Sequence, residues 1–305
     1  MIPRRAALAA WTALAAGAAF TGGAQAASLR YCDRQAKVSI EQQDQLFRFG
    51  AIVKAELEAS KQPLALVARS GLDLSWFGLR YSHAGFSLKD SPNGPWSVRQ
   101  LYYACDEQKP RIFDQGISGF LLGTDNPAEG YVSLVFLPPE EGAPVEHAAL
   151  SAPQSLQLLA ADYSANAYPW SLRYQNCNQW VMELLGAAWA GIPLGEPASP
   201  RQQAQQWLRE QGYAPMVVSV FPPLAWASAF VPWLHGDDHP QSDRLAGIYR
   251  VSMPDAIEAF VRRRAPAATR VELCHAGGRV VIHRGWTPIA EGCLPAEGDE
   301  VLALE

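Results

Sequence analysis

The chain has 305 residues, 49% of them hydrophobic, and 25 Lys and Arg against 30 Asp and Glu give a formal charge of −5. That balance excludes nucleic acid as a partner, since phosphate binding needs a basic surface. The length can bury a full core as one elaborated domain or two small ones.

Residues 1–26 read as a secretory signal: Arg4 and Arg5 form the charged end, Ala6 to Phe20 the apolar run, and Ala24-Gln25-Ala26 a small-residue cleavage site. Pro3 and Ala6 do not suit twin-arginine export, so general secretion to the periplasm is expected. Tyr31 before Cys32 does not suit a lipoprotein anchor. Removing the signal leaves 23 basic and 30 acidic side chains, a charge of −7.

Ile40 to Ser60 has the spacing of a helix, with Leu46, Phe49, Ile52, Val53 and Leu57 three or four apart. Leu64 to Ala68 is a short apolar strand, and Arg69 to Gly78 reads as a loop. Arg80 to Leu88 and Trp96 to Tyr103 are strands around the turn-rich segment Lys89 to Pro95, and together form a hairpin. If Leu88 and Ser97 flank its loop, His83 falls opposite Tyr102 with Gln100 a diagonal neighbour on the same face. Tyr131 to Leu137 is a further strand, closed by Pro138-Pro139. A helix is expected from about Ser151 to Ser164, with Leu156, Leu159 and Ala160 inward.

The helix that follows is the strongest element. From Asn178 nothing breaks it before Gly186, and Val181, Leu184, Leu185 and Ala188 paint one face that continues through Cys177. Asn176 is a favourable N-cap, which puts the Cys177 thiol among unpaired backbone N–H groups at the positive end of the helix dipole, a position that favours thiolate. The ordinary alternative is a small buried cysteine. Beyond it, Ser199 to Gln211 and Asp255 to Arg264 are helical, Met216 to Phe221 and Gly247 to Ser252 strand-like, and the last thirty-odd residues form a β-hairpin. The apolar run Met216 to Leu234 is broken by Pro222, Pro223 and Pro232, so buried core or an active-site lid is expected in place of a membrane span. The mixture points to an α+β fold with an antiparallel sheet.

Export places the chain where disulfides persist, and five cysteines leave at least one unpaired or paired between chains. Proximity suggests Cys274 with Cys293, stapling the C-terminal hairpin, and Cys32 with Cys105, leaving Cys177 over.

Tyr81-Ser-His83-Ala-Gly, the strand Trp96-Ser-Val-Arg-Gln100-Leu and the helix start Asn176-Cys177-Asn-Gln-Trp-Val resemble the circularly permuted branch of the NlpC/p60 papain-like superfamily, which includes lecithin:retinol acyltransferase-like proteins. The likeness covers about Leu64 to Gly191. The chain as a whole more closely resembles the exported bacterial domain-of-unknown-function family DUF2145, through Ser82-His-Ala-Gly, Tyr168-Pro-Trp-Ser-Leu-Arg-Tyr-Gln-Asn-Cys-Asn-Gln-Trp and Asp237-Asp-His-Pro240. The superfamily likeness implies a permuted papain-like core at residues 27–195, its sheet packed on the cysteine helix, and a C-terminal α/β-hairpin extension at 196–305. It implies Cys177 as nucleophile, His83 as base and Gln100 as the group orienting the base, where a histidine is more usual. Tyr102 is the rival of Gln100. An amide oxygen accepts from an imidazole N–H, so Gln100 can serve. Asn176 and Asn178 would cap the helix and line an oxyanion region.

The resulting expectation is a cysteine hydrolase or acyltransferase acting through a thioacyl intermediate on a cell-wall peptide or a lipid acyl group, without a cofactor. The alternative is a catalytically silent envelope-binding or assembly module on the same scaffold. Trp76, Phe77, Trp170 and Trp180 suit an apolar groove or a core. The loop His235-Gly-Asp-Asp-His239 is rich in potential ligands but lacks a metal-site spacing, so no metal is assigned. His147, His275 and His283 have no partner pattern. The oligomeric state is not legible in the sequence.

Overall fold

The computed structural model describes residues 38–193, 199–221 and 231–304. The expected signal peptide, Cys32 and the centre of the Met216 to Leu234 run lie outside them. Helix α1 (Ile40–Ala59) opens on Ser39, whose hydroxyl accepts from Gln42 N–H while the Gln42 side chain accepts from Ser39 N–H. Strand β1 (Leu64–Arg69) follows, then β2 (His83–Leu88), β3 (Ser97–Ala104), β4 (Lys109–Gln115), α2 (Ile117–Leu121) and β5 (Glu129–Phe136). Helices α3 (Pro139–Leu150) and α4 (Ala152–Gln157) precede two short strands, β6 (Asp162–Tyr163) and β7 (Tyr174–Gln175). The cysteine helix is α5 (Cys177–Ala190). After it come α6 (Pro200–Glu210), β8 (Met216–Ser219), α7 (Gln241–Leu245), β9 (Ile248–Val251), α8 (Pro254–Arg264), β10 (Thr269–Ala276), β11 (Arg279–Arg284) and β12 (Glu300–Ala303).

Eight strands form one sheet in the order β12-β11-β10-β5-β1-β2-β3-β4, every neighbouring pair antiparallel. The mixed α+β class read from the sequence holds. Side chains alternate along each strand, so the sheet is buried on both faces. Leu64, Leu66, Phe86 and Val135 pack with Trp180, Val181, Leu184 and Leu185 of α5 and with Ile257 and Phe260 of α8. Ala65, Val67, Val132 and Leu134 pack with Phe49, Val53 and Leu57 of α1 and with Ile117 and Phe120 of α2. The C-terminal strands extend this same sheet, and the Cys274–Cys293 disulfide, with Cα atoms 5.7 Å apart, closes them. Cys105 is held in a disulfide. No helix among the described residues is long and apolar enough to cross a membrane.

Besides the short helices α2 and α7 and the inclusion of Arg69 in β1, the structure departs from the sequence reading in two larger ways. The single helix expected from Ser151 to Ser164 is only the short α4, followed by strand β6, and an unforeseen helix α3 precedes it. Pro138-Pro139, read as closing a strand, also starts α3, because the fixed φ of proline suits the first helical turn. Helix α4 stops at Gln157 because the Gln175 side chain takes up the backbone beyond it, accepting from Ala160 N–H at 3.0 Å and donating to Leu158 O at 2.8 Å. Of the three residues expected inward, Ala160 is buried and Leu159 half-buried, whereas Leu156 is exposed and Leu158 is buried in its place. The second departure is β4, whose polar sequence gives little sign of a strand. It pairs with β3 along its whole length, from Val98 opposite Gln115 to Ala104 opposite Lys109.

Glu183 locks the cysteine helix in place. Its buried carboxylate accepts from the side chains of Gln175, Gln179, Arg201 and Gln205. Gly186 lets α6 approach, since a Cβ there would lie 2.9 Å from Leu208 Cγ. Removing one partner of a buried ion pair leaves the other uncompensated, at about 3–5 kcal/mol. Glu183→Ala is expected to lower unfolding free energy by about that amount in urea titration, whereas Asp44→Ala, which breaks an exposed pair with Arg48, should cost less than about 1 kcal/mol.

Candidate active site

The β2–β3 hairpin has the register the sequence suggested: Leu88 pairs with Ser97 and Phe86 with Arg99. His83 and Gln100 meet directly, with the imidazole Nε2–H donating to Gln100 Oε1 at 2.5 Å. The Gln100 amide is itself oriented, because its nitrogen donates to Gln115 Oε1 at 3.0 Å. Gln100 thus presents an acceptor to the ring, so Nε2 carries the proton and Nδ1 keeps its lone pair. Tyr102 does not take this role. Its ring lies 6.4 Å from Phe113 and is partly exposed.

Cys177 sits at the first turn of α5. Asn176 caps the helix, its oxygen accepting from Gln179 N–H at 2.7 Å and its nitrogen donating to Ala165 O. Asn178 ties the same turn to β2 by donating to Ser82 O at 3.1 Å. The sulfur is faced by the backbone N–H groups of Asn178, Cys177 and Ala84. It therefore reaches β2 at the residue after His83. Ala84 faces α5 with Phe86 and Leu88, while the His83 ring is directed to Phe120 of the other layer, 5.9 Å away. Thiol and imidazole therefore lie on opposite faces of the sheet, and the described residues include no hydrogen bond between them. Among the described residues Cys177 is the free cysteine.

Two neighbours were not foreseen. Arg69, expected in a loop, is the last residue of β1 and the register partner of His83. Its charge acts on both His83 and Cys177. Tyr163, stacked on Tyr103 at 4.8 Å, also feels the thiol. The available signal for Arg69 was alternation: it follows Ala65 and Val67 at the spacing of one buried face.

The electrostatics overturn the expected thiolate. Burial pushes the Cys177 thiol up to about 11, against the backbone N–H groups and Arg69, which favour the charged form. Burial and the like charge of Arg69 hold the His83 imidazole down to about 3, against the hydrogen bond to Gln100. Both groups are neutral across the physiological range.

The acidic loop serves the segment that leads into the site. Asp238 accepts from Tyr168 N–H at 2.9 Å, His239 Nε2–H donates to Asn166 O at 2.8 Å, and His235 stacks on Tyr174 at 4.7 Å. Among the described residues no three His, Cys, Asp or Glu are arranged to hold a metal. Of the aromatic residues near the motif, Trp180 is buried against Phe86 and Trp170 packs on Tyr213, while Trp76 and Phe77 stand exposed between β1 and β2.

The family described as "Uncharacterized protein conserved in bacteria (DUF2145)" matches residues 56–261, and the chain belongs to it. No curated protein and no solved structure matches the chain.

The two perturbed groups set opposite limits on stability. An unfolded imidazole takes a proton near pH 6.5, whereas folded His83 refuses it until about 3. Its contribution is complete above about pH 6.5 and lost as pH falls toward 3. An unfolded thiol ionises near 8.5, but folded Cys177 near 11, so its contribution is lost as pH rises through that interval. Urea midpoints should decline on both sides, with His83→Gln flattening the acid limb and Cys177→Ala the alkaline limb. His275, held down to about 4 by burial, should leave a residual acid slope. Alkylation of Cys177 should keep accelerating above pH 9.

Proposed function

We propose that the chain is an exported papain-like cysteine hydrolase or acyltransferase, acting through a thioacyl intermediate at Cys177 on an amide or ester bond of a cell-wall peptide or a lipid acyl group. The observation that carries this reading is the His83–Gln100 hydrogen bond, which leaves imidazole Nδ1 as an acceptor on the strand whose next residue, Ala84, faces the cysteine helix. The chain order of histidine strand, polar strand and cysteine helix supports a circularly permuted papain-like arrangement.

The chemistry follows from neutral partners. As sulfur attacks the carbonyl carbon, the thiol proton passes to His83 Nδ1, a transfer that requires the ring to turn toward the face on which Cys177 lies, and the carbonyl π pair moves onto oxygen. Backbone N–H groups at the start of α5 are suited to that oxyanion. Collapse of the intermediate expels the amine or alcohol, which takes the proton from the imidazolium. Water or a second acceptor then attacks the thioester, its proton returns through His83, and the thiol is restored. Gln100 Oε1 holds the imidazole orientation and stabilises the imidazolium by accepting from Nε2–H. Arg69 favours the thiolate and opposes the imidazolium, so it weights the balance toward transfer of the proton onward.

A second reading, a catalytically silent binding or assembly module, is favoured by the same burial that keeps thiol and imidazole neutral. Incubation with defined muropeptides and phospholipids, followed by mass analysis of products and protein, separates the two. The hydrolase reading expects products and a transient acyl mass on Cys177, complete loss in Cys177→Ala, a drop of about 10²–10⁴-fold in His83→Ala, and partial activity in Gln100→Ala. Products that persist unchanged in Cys177→Ala, or the lack of any product or adduct, would leave the binding module in its place.

A further inference from the structure

A chain with a surplus of acidic side chains carries one surface built from arginines without acids. Arg209 lies in the last turn of α6, and Arg262, Arg263 and Arg264 form the last turn of α8, all four exposed. Each guanidinium lies over an aromatic ring: Arg209 at 4.8 Å from Trp170, Arg262 at 5.2 Å from Trp286, Arg263 at 5.8 Å from Phe260 and Arg264 at 5.8 Å from Trp189. Such contacts occur about once in 70–80 residues, so four in one place mark a concentration. The rings beneath are continuous. Trp170 meets Tyr213 at 5.9 Å, Tyr213 meets Phe260 at 5.6 Å and Phe260 meets Trp189 at 6.1 Å. Three of the arginines therefore stand on one aromatic floor, with Arg262 beside them in the chain.

The neighbouring buried arginines have carboxylate partners, Arg201 with Glu183 and Arg270 with Glu258. None of the four exposed ones forms an ion pair among the described residues. Their polar contacts there are single ones to backbone, Arg209 Nη2 donating to Trp170 O at 3.3 Å and Arg263 Nη2 donating to Gly212 O at 3.1 Å. Two acids lie close by in the structure. Glu210 accepts from Gln206 Nε2 at 2.9 Å, and Glu141 offers its backbone oxygen to Trp189 Nε1 at 2.9 Å. A cation in the last turn answers the helix dipole, but three in succession without a counter-ion repel one another. Stacking occupies the face of a guanidinium and leaves its in-plane N–H fork free, the geometry that takes two phosphate oxygens.

We propose that this surface docks on an anionic phospholipid bilayer, with the four arginines on lipid phosphates and Trp170, Trp189 and Trp286 at the level of the headgroups. The three indoles are partly buried against the core, so each presents an edge outward, and tryptophan with arginine is the pair that settles at a membrane interface. The charges stand exposed on two helix ends, an arrangement that suits an extended array of phosphates and not one small anion. Among the described residues no helix can cross a membrane, so this contact is peripheral. The surface is separate from the thiol: Trp189 is twelve residues along α5 from Cys177, about 18 Å at 1.5 Å per residue. The proposal is therefore independent of the cysteine reading.

The test is co-sedimentation of the full exported chain with phosphatidylcholine vesicles, alone or containing about a quarter phosphatidylglycerol. The expected result is binding to the anionic vesicles only, falling steeply as salt is raised from about 0.05 to 0.5 M, with a blue shift of tryptophan fluorescence. Each arginine replaced by glutamine should weaken binding roughly fivefold, so the combined variant at 209, 262, 263 and 264 should lose at least about a hundredfold. Arg48→Gln with Arg284→Gln, which removes exposed arginines paired with carboxylates elsewhere, should bind as the wild type does. Should the fourfold variant fail to fold, Arg262→Gln with Arg263→Gln decides. Equal binding to neutral vesicles, binding indifferent to salt or to these substitutions, or capture of soluble polyphosphate without binding to anionic vesicles would overturn the docking surface.

Discussion

The position of Cys177 depends on one buried carboxylate. Glu183 lies two turns into the cysteine helix and accepts five hydrogen bonds from four side chains. Gln175 reaches it from the strand that enters the helix, Gln179 from the preceding turn, and Arg201 and Gln205 from the neighbouring helix. Arg201 also binds the Leu172 and Tyr174 carbonyls. The backbone that delivers Cys177 is thereby tied to the body of the helix at both sides of the cap. A charge this enclosed is tolerable only with every acceptor site used, so the network tolerates little displacement of the residues around it. Gln175 extends the same constraint backward, since its amide also ends helix α4.

A second buried network fixes the histidine strand. Glu272 on β10 accepts from Arg80, Tyr81, Arg270 and the Ile289 N–H, and Arg270 reaches Glu258 of α8 and Ser133 of β5. Arg80 and Tyr81 lie just before His83. The favourable charges around Glu272 hold its carboxyl below the usual range despite burial. The C-terminal strands thus do more than widen the sheet. They supply the acid that anchors the approach to β2, although they lie beyond the segment matched to the family.

What was legible in the sequence was what local rules encode. The N-cap at Asn176, the β2–β3 hairpin and the proximity of Cys274 to Cys293 each follow from nearby residues, whereas the long loop left the register that brings His83 to Gln100 conditional. Helix α3 was missed because its prolines at 138 and 139 read equally as a strand terminator and a helix start. Strand β4 was missed because an edge strand need not be apolar; its pairing with β3 and the bidentate contact of Arg99 with Asp114 hold it. Arg69 escaped notice because a polar residue at the end of an apolar run looks like the start of a loop. Its alternation with Ala65 and Val67 was the one local hint, and the packing of α2 and the glycines at 71 and 123 account for its staying inside.

The protonation of Cys177 shows why position along a helix does not by itself set reactivity. A helix N-terminus contributes at most about 2 kcal/mol to a charge placed there, whereas removing a thiolate from water costs more than that unless a full charge compensates. Here the compensating charge is Arg69, and it is shared: the same guanidinium that favours a thiolate at Cys177 disfavours an imidazolium at His83. With Arg69 unpaired, the two effects oppose each other, and the resting pair stays neutral. An anion placed on Arg69 would weaken both influences at once, making the imidazole easier to protonate and the thiolate harder to form.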